Sequence, residues 1–267
     1  MRWPGGWSTS PGCARPWNAQ QVATALNALS KWPDTAVCAE AVGALAGRLA
    51  DEPGLRKALD PQGVATALNA LSKWPDTAVC AEAVGALAGR LADDPGLRKA
   101  LNAQQVANAL NALSKWPDTA VCAEAVGALA GRLVDEPGLR KALDPQGVAT
   151  ALNALSKWPD TAVCAEAVGA LAGRLVDEPG LRKALDPQGV ANALNALSKW
   201  PDTAVCAEAV GALAGRLADE PGLRKALEPP TRRSVRRPSV RWPGGWSTSP
   251  GCARPWTRKA WPTRSMP

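Results

Sequence analysis

Two kinds of side chain in this sequence could do chemistry: thiols and amide–lysine pairs. The thiols recur at intervals of 42 residues, at Cys38, Cys80, Cys122, Cys164 and Cys206. The chain contains no His and no Cys-x-x-Cys pair, so the usual zinc ligand sets are absent. Equivalent positions on stacked helices lie about 8–10 Å apart, which is beyond the roughly 7 Å that a disulfide spans. We expect buried free thiols, with no metal and no cofactor.

Amides and lysines form the second set, four residues apart within each repeat. Its members are Asn27, Asn69, Asn111, Asn153 and Asn195, with Lys31, Lys73, Lys115, Lys157 and Lys199. Regularly spaced amides can bind the backbone of an extended peptide, and repeat proteins present such rows as binding surfaces. A solvated helix face is the alternative interpretation. A neighbouring position varies, as Thr24, Thr66, Asn108, Thr150 and Asn192.

Catalysis is not expected, because near-identical copies supply no unique constellation of differing groups. The repeated tryptophans allow two interpretations. They are either packing anchors, since Trp is usually mostly buried, or an exposed ladder that grips a ligand. They are Trp32, Trp74, Trp116, Trp158 and Trp200.

The elements that position these residues come from five copies of one unit, each marked by Ser-Lys-Trp-Pro. The copies are 18–59, 60–101, 102–143, 144–185 and 186–227. In the first copy Asn18 is a strong N-cap residue, and Val22, Leu26 and Leu29 form the apolar stripe of a first helix. Pro33 is predicted to end that helix.

A second helix follows, with Asp34 as its predicted cap and a core stripe at i, i+4, i+7 and i+11. That stripe consists of Cys38, Val42, Leu45 and Leu49. Gly43 and Gly47 lie on the opposite face, where each weakens the helix by roughly 1 kcal/mol relative to Ala. We therefore expect them to permit a close backbone approach.

A short third helix is predicted to open at Asp51 and Pro53. Leu55 and Leu59 are expected to turn inward, and Arg56 and Lys57 outward. Three helices in 42 residues are typical of an all-α, right-handed α-solenoid of the armadillo/HEAT class. No copy has the polar outer face of a capping unit, so self-association through the ends of the array is possible, and the chain is interpreted as a fragment.

The flanks, 1–17 and 228–267, differ from the repeats in charge and composition. The repeats carry 20 Lys/Arg and 23 Asp/Glu, a net charge of −3, so the positive net charge of the chain, +7, comes entirely from the flanks. Reading GC-rich codons for ALAGRLVDEPGLRKAL one base later yields RWPGGWSTSPGCARPW, the sequence at both 2–17 and 241–256. We interpret both flanks as out-of-frame repeat translation. Their Pro, Gly, Ser and Arg content predicts disorder.

The run LNALSKWPDTAVCAEAVGALAGRL, with its 42-residue period, resembles the SKWP-repeat proteins, which are type III secretion effectors of plant-pathogenic bacteria. The resemblance covers 18–227. It implies an armadillo/HEAT-like array, movement from the bacterial cytoplasm into a host cell, and a virulence role through contacts with host proteins. The chain shows no export signal, so a truncated or pseudogene product is expected.

A weaker similarity connects VATALNALSKWPD to the octotricopeptide-type RNA-binding repeats. The acidic balance of the repeats argues against nucleic acid, since affinity for it depends on phosphate neutralisation. No apolar run approaches the roughly 20 residues that a membrane span requires. A protein-interaction scaffold is the favoured function and an RNA-binding solenoid the alternative.

Overall fold

The computed structural model describes residues 17–227, with gaps at 33–34, 76, 117–118 and 159–160. Across these residues all regular structure is helical, and sets of three helices recur every 42 residues. The predictions made for the flanks at 1–16 and 228–267 fall outside the described residues. None of the described helices is both long and apolar enough to cross a bilayer.

Each repeat has a first, a second and a short third helix. The first helices are α1 (Ala19–Leu29), α4 (Pro61–Leu71), α7 (Ala103–Leu113), α10 (Pro145–Leu155) and α13 (Pro187–Leu197). The second helices are α2 (Ala36–Asp51), α5 (Ala78–Asp93), α8 (Ala120–Asp135), α11 (Ala162–Asp177) and α14 (Ala204–Asp219). The third helices are α3 (Pro53–Lys57), α6 (Pro95–Ala100), α9 (Pro137–Ala142), α12 (Pro179–Ala184) and α15 (Pro221–Leu227).

Neighbouring repeats stack through their equivalent helices. Each first helix packs against the first helices of neighbouring repeats, and each second helix against neighbouring second helices. The result is two helical layers, with each third helix packed on the second helix of its own repeat. The predicted α-solenoid of five three-helix repeats is confirmed. Its right-handed sense stays a prediction.

The core lies between the two layers and follows the predicted stripes. In the second repeat Cys80, Val84, Leu87 and Leu91 are fully buried, as are Val64 and Leu68 of the first helix. The same pattern recurs in the third and fourth repeats. Because each repeat buries its stripe against its neighbours, stability is shared along the array rather than held by any one unit.

First helices begin in one of two ways. In the Asn form, Asn18 Oδ1 accepts from the Gln21 N–H at 2.8 Å, and Gln21 Oε1 accepts from the Asn18 N–H at 2.9 Å. In the Asp form, Asp60 Oδ1 accepts from the Gly63 N–H at 2.6 Å. A Cβ on Gly63 would lie 2.9 Å from that same oxygen. Glycine is therefore needed with the Asp form, whereas the Asn form accommodates Gln.

Two predicted helix starts are wrong by one residue. The second helix is capped at Thr35, not Asp34, and the Thr35 side chain makes no capping hydrogen bond. The third helix has Glu52 as its N-cap, while Asp51 is the last residue of the second helix. Pro53 does occupy the first helical position, as predicted. There its missing N–H costs nothing.

In each of the second, third and fourth repeats, two arginines bind carbonyl groups that helix ends leave without partners; among the described residues, the first and fifth repeats each have one such arginine. Arg56, predicted to point outward, instead donates from Nη1 to the carbonyls of Leu49 at 2.7 Å and Ala50 at 2.6 Å, at the end of α2. Arg90 of the next repeat donates to the carbonyls of Leu59, at 2.9 Å, and Arg56. The second contact crosses the junction between repeats, so it stabilises stacking directly.

The glycines of the second helices do not permit a close approach, which corrects the sequence prediction. A Cβ built on Gly43, or on its equivalents Gly85, Gly127, Gly169 and Gly211, would meet no described atom beyond its own helix backbone and chain neighbours within 4 Å. On Gly47 a Cβ would lie 3.8 Å from Val79 Cγ1, an ordinary van der Waals distance. Within the described residues, packing therefore does not require glycine at either position.

Candidate functional site

The first helices carry a continuous polar surface, which we call the amide–lysine stripe. It comprises the Asn row Asn27, Asn69, Asn111, Asn153 and Asn195, and the Lys row Lys31, Lys73, Lys115, Lys157 and Lys199. Neighbouring first helices pack side by side, so equivalent members of each row lie on adjacent helices or in the turns that follow them. The Asn side chains lie in the helices and the Lys side chains in the turns that follow.

The stripe's side chains are available to a partner. All five lysines are exposed, and four of the five asparagines are partly buried, with Asn195 exposed. Across the described residues, the side-chain amides of the Asn row make no hydrogen bond. Ser72 Oγ donates only to the Asn69 main-chain carbonyl, at 2.8 Å. Partly desolvated amides without partners are favourable sites for a ligand that supplies both a donor and an acceptor.

A groove crosses three neighbouring first helices beside the Asn row. It has a volume of about 370 Å³, and its walls include Asn27, Gln62, Thr66, Asn69, Gln104 and Asn108. These side chains offer amide and hydroxyl groups rather than charges. The groove therefore suits a neutral, hydrogen-bonding chain such as a peptide backbone.

Sequence reasoning missed the glutamines of this surface, which are Gln20, Gln62, Gln104, Gln146 and Gln188. They lie seven residues before the Asn row, so helical periodicity places them on the same face. Gln104 Nε2 donates to Asn108 Oδ1 at 3.3 Å, and Gln188 Nε2 donates to Asn192 Oδ1 at 2.9 Å. The variable Thr/Asn position therefore changes how a repeat presents its amides.

Charge is distributed unevenly between the layers. The five first helices contain no acidic or basic residue, and the lysines of the stripe follow their C-terminal ends. Acidic residues of the described part lie at three first-helix caps (Asp60, Asp144 and Asp186), in the turn at Asp202, on the second helices, and at the junctions between second and third helices. The acidic balance of the repeats thus resides largely away from the stripe.

The tryptophans act as packing anchors, and the exposed-ladder interpretation is wrong for four of the five. Trp74, Trp116, Trp158 and Trp200 are buried. Their Nε1 groups are buried without a hydrogen-bond partner among the described residues. An unpaired buried donor costs about 1–3 kcal/mol, so the burial of the large indole must outweigh that cost.

The thiols of the second to fifth repeats are free and buried, as predicted, and Cys38 of the first repeat is partly exposed. Burial raises the pKa of Cys122 and of Cys164 to about 11. At pH 8 only about one thousandth of either thiol is in the thiolate form that reacts with electrophiles. Cysteines 13 and 252 fall outside the described residues.

We expect native-state alkylation to distinguish Cys38 from the interior thiols. In a chain carrying Cys13→Ser and Cys252→Ser, iodoacetamide at pH 8 should modify Cys38 first. The buried thiols should react only when the protein unfolds, because burial blocks the reagent from the sulfur and raises the thiol pKa, so little thiolate is present. They are Cys80, Cys122, Cys164 and Cys206. Peptide mass spectrometry after timed quenching measures the order. Rapid modification of Cys122 in the folded protein would contradict the packing described.

Comparison of the chain with protein-family models, with curated proteins and with solved structures finds no match in any of the three.

Proposed function

We propose that the chain is a non-catalytic binding scaffold that holds an extended segment of another protein along the amide–lysine stripe. The observation that carries the proposal is the row of side-chain amides that have no hydrogen-bond partner among the described residues and are flanked by exposed lysines. A peptide backbone presents one donor and one acceptor per residue. Each amide can donate and accept at once.

Spacing supports a linear ligand. Neighbouring packed helices are about 8–10 Å apart, and an extended chain in the polyproline II conformation advances about 3.1 Å per residue with three residues per turn. One repeat therefore corresponds to about three ligand residues, and five repeats to about 15, with every third side chain on the same face. The lysines recur at the same interval and favour a segment with an acidic residue at every third position.

The resemblance to SKWP-repeat effectors supports a host-cell protein as the source of this segment, reached by type III secretion. The scaffold would act by occupying that segment rather than by altering it covalently. Its virulence role would follow from competition with the host protein's normal contacts.

The test is the triple substitution Asn69→Ala, Asn111→Ala and Asn153→Ala. Binding should be measured by fluorescence anisotropy with labelled 15-residue peptides carrying Glu at every third position. Loss of about three hydrogen bonds of roughly 1 kcal/mol each should weaken binding by tenfold or more. Circular dichroism should be unchanged, because these amides make no internal bonds.

A matched control replaces three exposed acids of the second helices, as Glu82→Ala, Glu124→Ala and Glu166→Ala. These side chains lie in the other layer, so peptide affinity should not decrease. Unchanged binding by the asparagine triple variant, or equal loss in both variants, would reject the stripe as the binding surface.

RNA binding is the second candidate, and the variable Thr/Asn position favours it. Some helical-repeat proteins read one base per repeat with two or three side chains, and here Thr66 and Asn108 differ within otherwise similar repeats. With five lysines engaged, log affinity for single-stranded RNA would fall against log salt with a slope of about −3.5. Tighter binding of 15-nucleotide RNA than of every acidic peptide would replace the peptide proposal.

A further inference from the structure

The two ends of the described array expose surfaces that the interior repeats bury. At the first repeat Trp32 is 65% exposed, whereas its four equivalents are between 7 and 9% exposed. At the fifth repeat Leu227 is 37% exposed, whereas Leu59, Leu101, Leu143 and Leu185 are each 2% exposed. Each end is thus an apolar face without a partner among the described residues.

We define the head face by Ala28, Leu29, Trp32, Val37 and Cys38 of the first repeat. All five are more exposed than their equivalents in the second, third and fourth repeats. We define the tail face by Leu194, Val210, Ala214, Leu217 and Leu227 of the fifth repeat, which show the same difference from their equivalents.

These faces are complementary because their equivalents already pack together inside the chain. At the first junction Val79 lies against Gly47, and at the second Val121 lies against Gly89. Val37 and Gly215 are the corresponding pair at the two ends. Residues 204–227 also have the same sequence as 36–59, which receives the second repeat.

The polar contacts of a junction are also available at the ends. At the four internal junctions an arginine of one repeat donates to a leucine carbonyl of the preceding repeat, at 2.8–3.2 Å. Arg48 occupies this position in the first repeat, and among the described residues it binds only Glu52. The Leu227 carbonyl is the matching acceptor in the fifth repeat.

We propose that the chain self-associates head to tail, with the head face of one copy seated on the tail face of another. The new junction would contain the same residues as those inside the chain, so the stacking would continue across molecules. Such an interface is heterologous and leaves one free head and one free tail after every addition. Growth is therefore open-ended rather than limited to a dimer.

Sedimentation velocity of the full chain, from 1 to 200 µM, provides the first test. The weight-average sedimentation coefficient should rise continuously with concentration, without a plateau at the dimer. Cys38 should become protected from iodoacetamide over the same range, because its equivalents at internal junctions are buried. A chain that stays monomeric at 200 µM, or that stops at a dimer, would overturn the proposal.

A complementation experiment tests polarity. Trp32→Glu blocks the head and Ala214→Glu blocks the tail, and both positions are exposed in the described structure, so neither change disturbs the core. Each variant alone should remain monomeric. An equimolar mixture should form a dimer and nothing larger, because one intact head meets one intact tail.

The control is Gln146→Glu, which introduces the same charge at an exposed position away from both faces. It should assemble like the unmodified chain. A face-to-face arrangement of two heads would let Ala214→Glu dimerise alone, and adding Trp32→Glu would produce no further dimer. Either result would contradict head-to-tail assembly.

Discussion

Replacing Arg132 with Met is expected to lower the free energy of unfolding by about 3 kcal/mol, as for the loss of one partner in a buried ionic contact. The side chain is 9% exposed and forms a paired contact with Glu136 at 2.9 Å. It also donates to the Leu101 carbonyl at 3.1 Å and to the Arg98 carbonyl. The substitution leaves the Glu136 carboxylate and the carbonyls of Arg98 and Leu101 without this hydrogen-bond donor.

Arg48→Met is the matched control. Arg48 occupies the equivalent position in the first repeat but binds only Glu52, on the surface, and reaches no carbonyl of another repeat within the described part. We expect little change in its urea midpoint, followed by circular dichroism at 222 nm. Equal losses in the two variants would show that the contact across the junction contributes nothing.

Acid should reduce the difference between Arg132→Met and the unmodified chain. The hydrogen bond from Arg132 lowers the pKa of Glu136 below its usual value. A carboxyl whose pKa is depressed by folding stabilises the protein above its unfolded pKa and loses that contribution as the pH falls through the folded pKa. Urea midpoints should therefore converge below about pH 4. A difference that grows with acid would contradict this assignment.

Replacing five helix-interior glycines with alanine is expected to stabilise the protein by about 2.5–5 kcal/mol in total, or 0.5–1 kcal/mol per site. The sites are Gly43, Gly85, Gly127, Gly169 and Gly211. In the part of the chain that the structure describes, a Cβ at each site would meet no atom of another element within 4 Å, so the gain in helix propensity carries no steric cost. Thermal and urea unfolding of the fivefold variant would measure the increase.

The opposite result is expected for Gly63→Ala. A Cβ there would lie 2.9 Å from both Asp60 Oδ1 and Leu59 Cδ2, so it displaces the capping oxygen. Losing a cap costs about 1 kcal/mol. The triple variant Asp60→Asn, Pro61→Ala and Gly63→Gln should instead be as stable as the unmodified chain, because the third repeat has these residues at the equivalent positions. Stabilisation by Gly63→Ala alone would contradict the described geometry.

The sequence predicted the features that depend on local periodicity. The 42-residue period defined the repeats, and the spacing of Cys80, Val84, Leu87 and Leu91 defined the buried stripe. The Asn row could be placed on one face for the same reason, since positions on a helix follow from residue number alone.

Features that depend on contacts between helices were not predictable in this way. The contacts of Arg90 depend on the end of the preceding third helix, which lies beside it only when the repeats are stacked. The space around Gly43 depends on how neighbouring second helices are oriented. The second helix is capped at Thr35 rather than at the predicted Asp34. A pattern of apolar residues does not resolve a shift of one residue in where helical geometry begins.

The two forms of the first-helix start have an evolutionary consequence. Asn, Ala and Gln occur together at 18, 19 and 21, whereas Asp, Pro and Gly occur together at 60, 61 and 63. A mutation that changes only the glycine places a Cβ against the capping carboxylate, so the mixed state is less stable than either parent. The three positions should be inherited as a block, exchanged by recombination between repeats rather than by successive point mutations.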